Sequence, residues 1–212
     1  QRSLTIRPRS RNCLTQMGYD GYADAPDPSD YSFACDDWFE DEDTFFPLHQ
    51  RAVELGLYLR ERPYAGALDV VSDVARRHSV LFATSRERDE TDSLRWLHAY
   101  GLDATPNWNL DLWRDTYPET FEWTIRDSCR RDGSGIRFCH IWDKTFLDAD
   151  LTVEDNPHTL DWLMDKGLRV LVKRHAYNLP QCERAEQSGL GLSFDDWTQV
   201  PGLAERLIGG SH

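Results

Sequence analysis

Four apolar runs stand out along the chain, and at least one stretch with helical spacing of apolar residues separates each from the next. They cover residues 79–83, 136–141, 151–154 and 168–172. Short apolar runs bounded by polar or turn-forming residues are typical of buried strands. Because helical patterns stand between them, we predict an α/β fold with a parallel central sheet flanked by helices.

The best-defined helix follows the third run. Asn156 and Pro157 end the strand, and proline is favoured in the first turn of a helix. Its apolar face is formed by three residues, Leu160, Leu163 and Met164, and Gly167 is its expected C-terminal stop. Further helical patterns cover residues 45–60, 68–75, 91–100, 120–130 and 195–208.

Residues with phosphate- and metal-binding chemistry stand at the ends of these runs. Thr84 and Ser85 follow the first run, Lys144 follows the second, and Glu154 and Asp155 end the third. Ligands of open parallel sheets bind at the carboxyl ends of the strands. There a hydroxyl can donate to a phosphate oxygen, a lysine can neutralise it, and a carboxylate can hold Mg²⁺.

Each of these residues alone has a simpler explanation as a turn residue, a helix cap or an ordinary surface charge. Their order along the chain, with Lys144 eleven positions before Asp155, favours a shared phosphate site. We therefore expect Thr84, Lys144 and Asp155 to converge on one cleft.

The segment DKTFLDADLTVEDNP, residues 143–157, resembles the third and fourth motifs of the haloacid-dehalogenase superfamily. In detail it is similar to the 5'(3')-deoxyribonucleotidase branch, as are HAYN at 175–178 and SFDDW at 193–197. The resemblance implies a Rossmann-like core with a small, mostly helical cap. We expect the cap over about residues 13–62, the core over 63–208, and a linker or tag remnant at 209–212.

This resemblance also implies an activity. The implied activity is that of a Mg²⁺-dependent phosphomonoesterase, which would hydrolyse nucleoside monophosphates through an aspartyl-phosphate. Thr84 and Lys144 would be catalytic, Thr84, Ser85 and Lys144 would bind phosphate, and Asp155 would hold the metal with Glu154 behind it. Residues 103–135 exceed the family's usual connection and are treated as an insertion.

The superfamily's first motif, D-x-D-G, is not found in the chain. The nearest string, Gly18-Tyr19-Asp20-Gly21, lacks the first aspartate, and Leu4–Ile6 is followed by Arg7, Pro8 and Arg9, which are not nucleophiles. We expect the motif upstream of Gln1. The alternative is a member that has lost it and acts as an inactive binding or regulatory protein.

The composition and charge of the chain limit the kinds of binding partner that we expect. The 212 residues have a net charge of −13, which disfavours long nucleic acid and hence a third alternative, a polynucleotide 3'-phosphatase. No apolar run is long enough for a membrane span, and the five scattered cysteines make no CxxC pair. We expect a cytoplasmic protein with free thiols and a small phosphomonoester as ligand, and leave a homodimer open.

Overall fold

The computed structural model describes residues 42–85, 90–109, 134–147 and 149–209. The α-helices within these ranges are α1 (Glu42–Glu54), α2 (Ala67–Ala75), α3 (Glu90–Ala99), α4 (Pro157–Asp165), α5 (Leu179–Ser188) and α6 (Val200–Gly209). The strands are β1 (Ser79–Thr84), β2 (Ala104–Asn109), β3 (Gly135–His140), β4 (Thr152–Glu154), β5 (Val170–Lys173) and β6 (Gly191–Phe194). Short 3-10 turns cover Tyr58–Arg60, Lys144–Phe146, Ala176–Asn178 and Trp197–Gln199.

The described strands form two sheets of three strands, ordered β1-β3-β2 and β4-β5-β6. Every pairing is parallel, with Thr84 opposite His140 in the first sheet and Glu154 opposite Val172 in the second. The α/β class and the parallel pairing are thus confirmed. Instead of one central sheet, however, the described residues show two smaller ones, with β1 and β4 each at an edge.

The second sheet is built around β5, whose four residues are all buried. On one face, Val170 and Val172 pack with Leu160, Leu163 and Met164 of α4 and with Cys182 and Ala185 of α5. On the other face, Leu171 packs with Phe194 and Val200 at the start of α6. Cover on both faces explains why residues 170–172 are all apolar, with the buried Lys173 as the exception at the end of the strand.

Helix α4 begins and ends where the sequence predicts. The Asn156 side chain accepts hydrogen bonds from the backbone N–H groups of His158 (2.9 Å) and Thr159 (3.4 Å). These bonds satisfy donors that the first turn of a helix leaves open. At the other end, Gly167 has a φ of 70°, which a glycine adopts without strain.

Strand β6 lies very close to β5 and α5. A Cβ placed on Gly191 would come within 2.4 Å of the Val170 carbonyl oxygen and 3.0 Å of the Ala185 Cβ. Only a residue without a side chain fits there. The glycine therefore permits the short β6 to pair with β5 while α5 covers both strands.

The first sheet is less enclosed. Phe138 of β3 packs with Leu97, Leu102 and Ala104 on one face, and Cys139 packs with Ile141 and Leu147 on the other. Strand β1 pairs only with β3 within the described residues, and none of its six residues is fully buried. Its other edge faces away from β3.

Helix α2 connects the two halves of the structure. Val70 packs with the Leu171 and Phe194 cluster of the second sheet. Leu68 and Val71 pack with the Phe138 cluster of the first. One amphipathic helix thus covers part of both sheets, although no strand of one pairs with a strand of the other in the described ranges.

The four predicted strands match β1, β3, β4 and β5 to within two residues at each end. Two observed strands were not predicted. Within the predicted insertion over residues 103–135, to which no strand was assigned before residue 136, Ala104–Asn109 pairs with β3 as strand β2. It also assigned no strand to residues 191–194, which form β6. The predicted helix at 120–130 lies outside the described residues.

Only residues 42–62 of the predicted cap are described. The predicted helix over 45–60 is instead two elements, because α1 ends at Glu54 and Gly56 turns the chain with a φ of 82°. The Glu61 carbonyl accepts hydrogen bonds from Trp96 Nε1 (2.7 Å) and the Tyr100 hydroxyl (3.2 Å) of α3. This end of the predicted cap therefore packs directly on the predicted core.

The two cysteines in the described ranges, Cys139 and Cys182, are buried free thiols as expected. The other three lie outside those ranges. At the carboxyl terminus, α6 extends to Gly209, one residue into the segment predicted to be a linker or tag remnant. Across the described parts of the chain, no helix has the length and apolar character needed to cross a membrane.

Candidate functional site

The candidate residues follow the carboxyl ends of neighbouring parallel strands. Thr84 is the last residue of β1, and its carbonyl accepts a hydrogen bond from the Ile141 backbone N–H at 2.8 Å. The chain then continues from Ile141 to Lys144, while Ser85 follows Thr84 directly. Thr84, Ser85 and the turn with Lys144 therefore stand at the same end of the first sheet.

Lys144 reaches from the first sheet to the second. Its Nζ lies 2.5 Å from Oε2 of Glu154, the last residue of β4. Both side chains are largely buried, with exposed fractions of 19% for Lys144 and 7% for Glu154. Lys144 is thus beside the residue that precedes Asp155, as the predicted site requires.

Both carboxylate oxygens of Glu154 are already bound by other groups. Its Oε1 accepts hydrogen bonds from the backbone N–H groups of Asp155 (2.9 Å) and Asn156 (3.0 Å), while Oε2 binds Lys144. Burial opposes ionisation of Glu154, but the charge of Lys144 and these hydrogen bonds outweigh it and lower the pKa of the carboxyl group. Glu154 therefore anchors Lys144 and the turn after β4.

Asp155 has a different environment. Its Oδ2 accepts a hydrogen bond from the Tyr177 hydroxyl at 2.7 Å and lies 3.9 Å from Nε2 of His175. About 40% of the side chain is exposed. Partial burial of the carboxyl group and the negative charge of Glu154 raise the pKa of Asp155 to about 6, although the bond from Tyr177 opposes this shift.

These contacts bear on whether Asp155 could hold Mg²⁺. The Tyr177 hydroxyl binds Oδ2 rather than Oδ1, and the side chain is partly open to solvent. Mg²⁺ is commonly held by one or two carboxylates together with water and phosphate oxygens. Asp155 fits as one such carboxylate. The described ranges contain no group of three or more acidic, histidine or cysteine side chains arranged for a metal ion.

A second lysine lies at the end of β5. Lys173 is 8% exposed and donates to the Arg174 carbonyl oxygen at 3.2 Å. Its Nζ lies 5.4 Å from the Tyr64 ring centroid and 5.9 Å from that of Phe194. Burial lowers the pKa of Lys173 against the attraction of Asp195 and Asp155.

Sequence reasoning identified some of these residues and missed others. It predicted that Thr84, Lys144 and Asp155 converge on one cleft, and the structure shows Lys144 in contact with Glu154, the residue before Asp155. It singled out residues 175–178 only as a matching motif, without a role for Tyr177. Lys173 and Tyr64 were not anticipated. The signal for Lys173 was a charged residue directly after the buried run 170–172.

Comparisons with protein-family models, curated proteins and solved structures found no match to this chain. The resemblance to the haloacid-dehalogenase superfamily therefore rests on the motifs of the sequence alone, and its functional implications stay predictions.

Proposed function

We propose that the chain is part of a Mg²⁺-dependent phosphomonoesterase of the haloacid-dehalogenase type that hydrolyses nucleoside monophosphates. The observation that carries this proposal is the contact between Lys144 and Glu154. It brings a buried ammonium group next to Asp155 at the carboxyl end of parallel strands. A cation beside a metal-binding carboxylate favours phosphoryl transfer, because the cation and the bound metal both stabilise charge on the phosphoryl oxygens.

Each residue has a defined part in this proposal. Lys144 neutralises the phosphate. Glu154 holds Lys144 in place through the hydrogen bond between Lys144 Nζ and Glu154 Oε2. Asp155 holds Mg²⁺, which supplies the Lewis acidity for attack on phosphorus. Thr84 and Ser85 donate hydrogen bonds to phosphate oxygens from the end of β1.

The aspartate nucleophile is not supplied by the described residues. Both β1 and β4 are edge strands there, and α2 packs on the sheets to which they belong. A further parallel strand pairing with both β1 and β4 would join the two sheets. Its carboxyl end would lie between Thr84 and Asp155, where an aspartate could attack the phosphate. This arrangement is part of the proposal.

The test is phosphate release from a panel of nucleoside monophosphates by the full-length protein, with and without Mg²⁺. We expect release only with Mg²⁺, and a loss of at least about a hundredfold in Asp155→Asn. Asp165→Asn is the matched control, because that carboxylate pairs with Arg184 on the surface of α4. Equal release without Mg²⁺, or full activity of folded Asp155→Asn, would contradict the proposal.

The alternative is a binding protein without hydrolysis. It is favoured by one observation, the lack of a D-x-D-G motif in the sequence. If no nucleoside monophosphate is hydrolysed, the same panel can be tested for thermal stabilisation of the protein. Stabilisation that is lost in a Thr84→Val variant would support the binding protein.

A further inference from the structure

The segment His175–Asn178, between β5 and α5, surrounds Asp155 although it lies about twenty residues further along the chain. The proposed chemistry assigns it no role. Its contacts fix both the backbone and the carboxylate of Asp155.

Asn178 fixes the backbone. Its side chain is fully buried, and its amide group donates to the carbonyl oxygens of Asp155 (2.8 Å) and Lys173 (3.0 Å). Its amide oxygen accepts from the His175 backbone N–H at 2.8 Å. One side chain therefore joins the turn after β4 to the end of β5.

Tyr177 fixes the carboxylate. Its ring stacks on that of His175 with centroids 4.9 Å apart and planes inclined by 16°. His175 is itself held in place, because its backbone carbonyl accepts from the Asn178 backbone N–H at 3.3 Å and its Nε2 lies 3.3 Å from the Tyr64 hydroxyl. The Tyr177 hydroxyl, supported in this way, donates to Asp155 Oδ2 at 2.7 Å.

We propose that Tyr177 is the positioning residue of the Asp155 carboxylate. Its hydroxyl occupies Oδ2 and holds the carboxylate in one rotamer, which leaves Oδ1 for a hard cation such as Mg²⁺. This inference rests on the proposed function, since it assumes that Asp155 binds the metal. Partners that orient a metal ligand commonly change metal affinity by about ten- to a hundredfold when they are removed.

A purely structural role for Tyr177 would have a different effect. A hydroxyl that only tied two loops together would alter unfolding but not metal affinity in the folded protein. Tyr177→Phe separates these roles, because it keeps the ring that stacks on His175 and removes only the hydroxyl. Tyr100→Phe is the matched control, since the Tyr100 hydroxyl also donates one hydrogen bond, to the Glu61 carbonyl at 3.2 Å.

The experiment is a titration of the full chain with Mn²⁺, which shares the oxygen ligands of Mg²⁺ and is detected by electron paramagnetic resonance. We expect Tyr177→Phe to raise the Kd about tenfold and Tyr100→Phe to leave it unchanged. In an Asp155→Asn background, Tyr177→Phe should have no further effect. Circular dichroism at the titration temperature establishes that every variant is folded.

The outcomes separate the two proposals. If Asp155→Asn weakens Mn²⁺ binding and Tyr177→Phe does not, the positioning role is wrong and the metal role of Asp155 stands. If folded Asp155→Asn binds Mn²⁺ as the unaltered chain does, or if the unaltered chain binds none, the metal site is misplaced and both proposals fall.

Discussion

Strands β5 and β1 occupy very different positions in their sheets. Strand β5 is central, pairs on both edges and is buried along its whole length between α4 and α5 on one face and α6 on the other. Strand β1 is an edge strand of the described structure, and its apolar residues are only partly covered. Both are apolar runs in the sequence, so the hydrophobic pattern alone does not distinguish them.

The difference bears on where chemistry can occur. The enclosed half around β5 provides rigidity, and its contribution to the candidate site is the support given by residues 173–178. Edge strand β1 instead ends at Thr84, and Asp155 directly follows edge strand β4. Lys144 links these two regions through Glu154. Three predictions test this division, from the largest expected effect to the smallest.

Lys144→Met should break the link between the halves. It leaves Glu154, 7% exposed, without its cation, and removing one partner of a buried ion pair costs roughly 3–5 kcal/mol. In the unaltered chain, Lys144 lowers the pKa of Glu154. The contribution of this ion pair to folding stability is therefore complete above the ordinary carboxyl pKa of 4.5, and it is lost as the pH falls through the lowered pKa. Urea unfolding at pH 7 and pH 4 should therefore show a smaller loss at pH 4.

The exposed Lys166→Met is the control for this substitution and should change stability by less than about 0.5 kcal/mol. A second change, Glu154→Gln, should recover part of the loss in Lys144→Met because it removes the uncompensated charge. If Lys144→Met unfolds at the same urea concentration as the unaltered chain, the two halves are joined by other contacts.

Leu171→Ala and Leu81→Ala compare the two strands directly. Leu171 is fully buried in β5, and its truncation should cost roughly 3–4 kcal/mol. Leu81 is partly buried in β1, and its truncation should cost about 1–2 kcal/mol. Urea unfolding of both variants measures the difference. Equal losses would mean that β1 is as enclosed in solution as β5, as it would be if another strand covered its free edge.

Asp155→Asn should have the smallest effect on stability. The pKa of Asp155 is raised from 3.8 to about 6, so the folded protein binds more protons than the unfolded chain between these values, and stability falls as the pH rises through them. Asparagine does not titrate. Above about pH 6, Asp155→Asn should thus be more stable than the unaltered chain. The gain should be less than about 1 kcal/mol, because the carboxylate is 40% exposed. Below pH 4 the two proteins should be equally stable.

Thermal unfolding from pH 4 to pH 8 measures this effect. Asp165→Asn is the matched control, an Asp-to-Asn change at a side chain that is 63% exposed and bound to Arg184 on the surface. If Asp155→Asn lowers stability relative to the unaltered chain more at pH 8 than at pH 4, the pKa of Asp155 is lowered rather than raised.

The second half was the easier one to predict. Residues 170–172 are all apolar because both faces of β5 are covered, and Asn156 and Pro157 mark the start of α4 by local chemistry alone. Strand β2 was missed because its sequence, Ala-Thr-Pro-Asn-Trp-Asn, includes a proline and two asparagines, which are rare in strands. Its pairing with β3 is a tertiary effect that no local pattern records.

The candidate site was predicted only in part, for a similar reason. Lys144 and Asp155 each follow an apolar run, and residues at the ends of parallel strands meet at one edge, so their proximity followed from order alone. The bond from Tyr177 to Asp155 spans 22 positions and depends on the path of the 175–178 turn. Periodicity contains no information about that path.

The tight contact at Gly191 has a consequence for tracing the ancestry of this chain. A side chain at position 191 would collide with Val170 and Ala185, so replacing this glycine would require strand β6 to move. A homologous protein can change most surface residues, but we expect it to keep this glycine. A glycine about twenty residues after a buried four-residue strand, with a small residue six positions before it, is thus a spatial signature. It would persist in homologues whose overall sequences have diverged beyond detection.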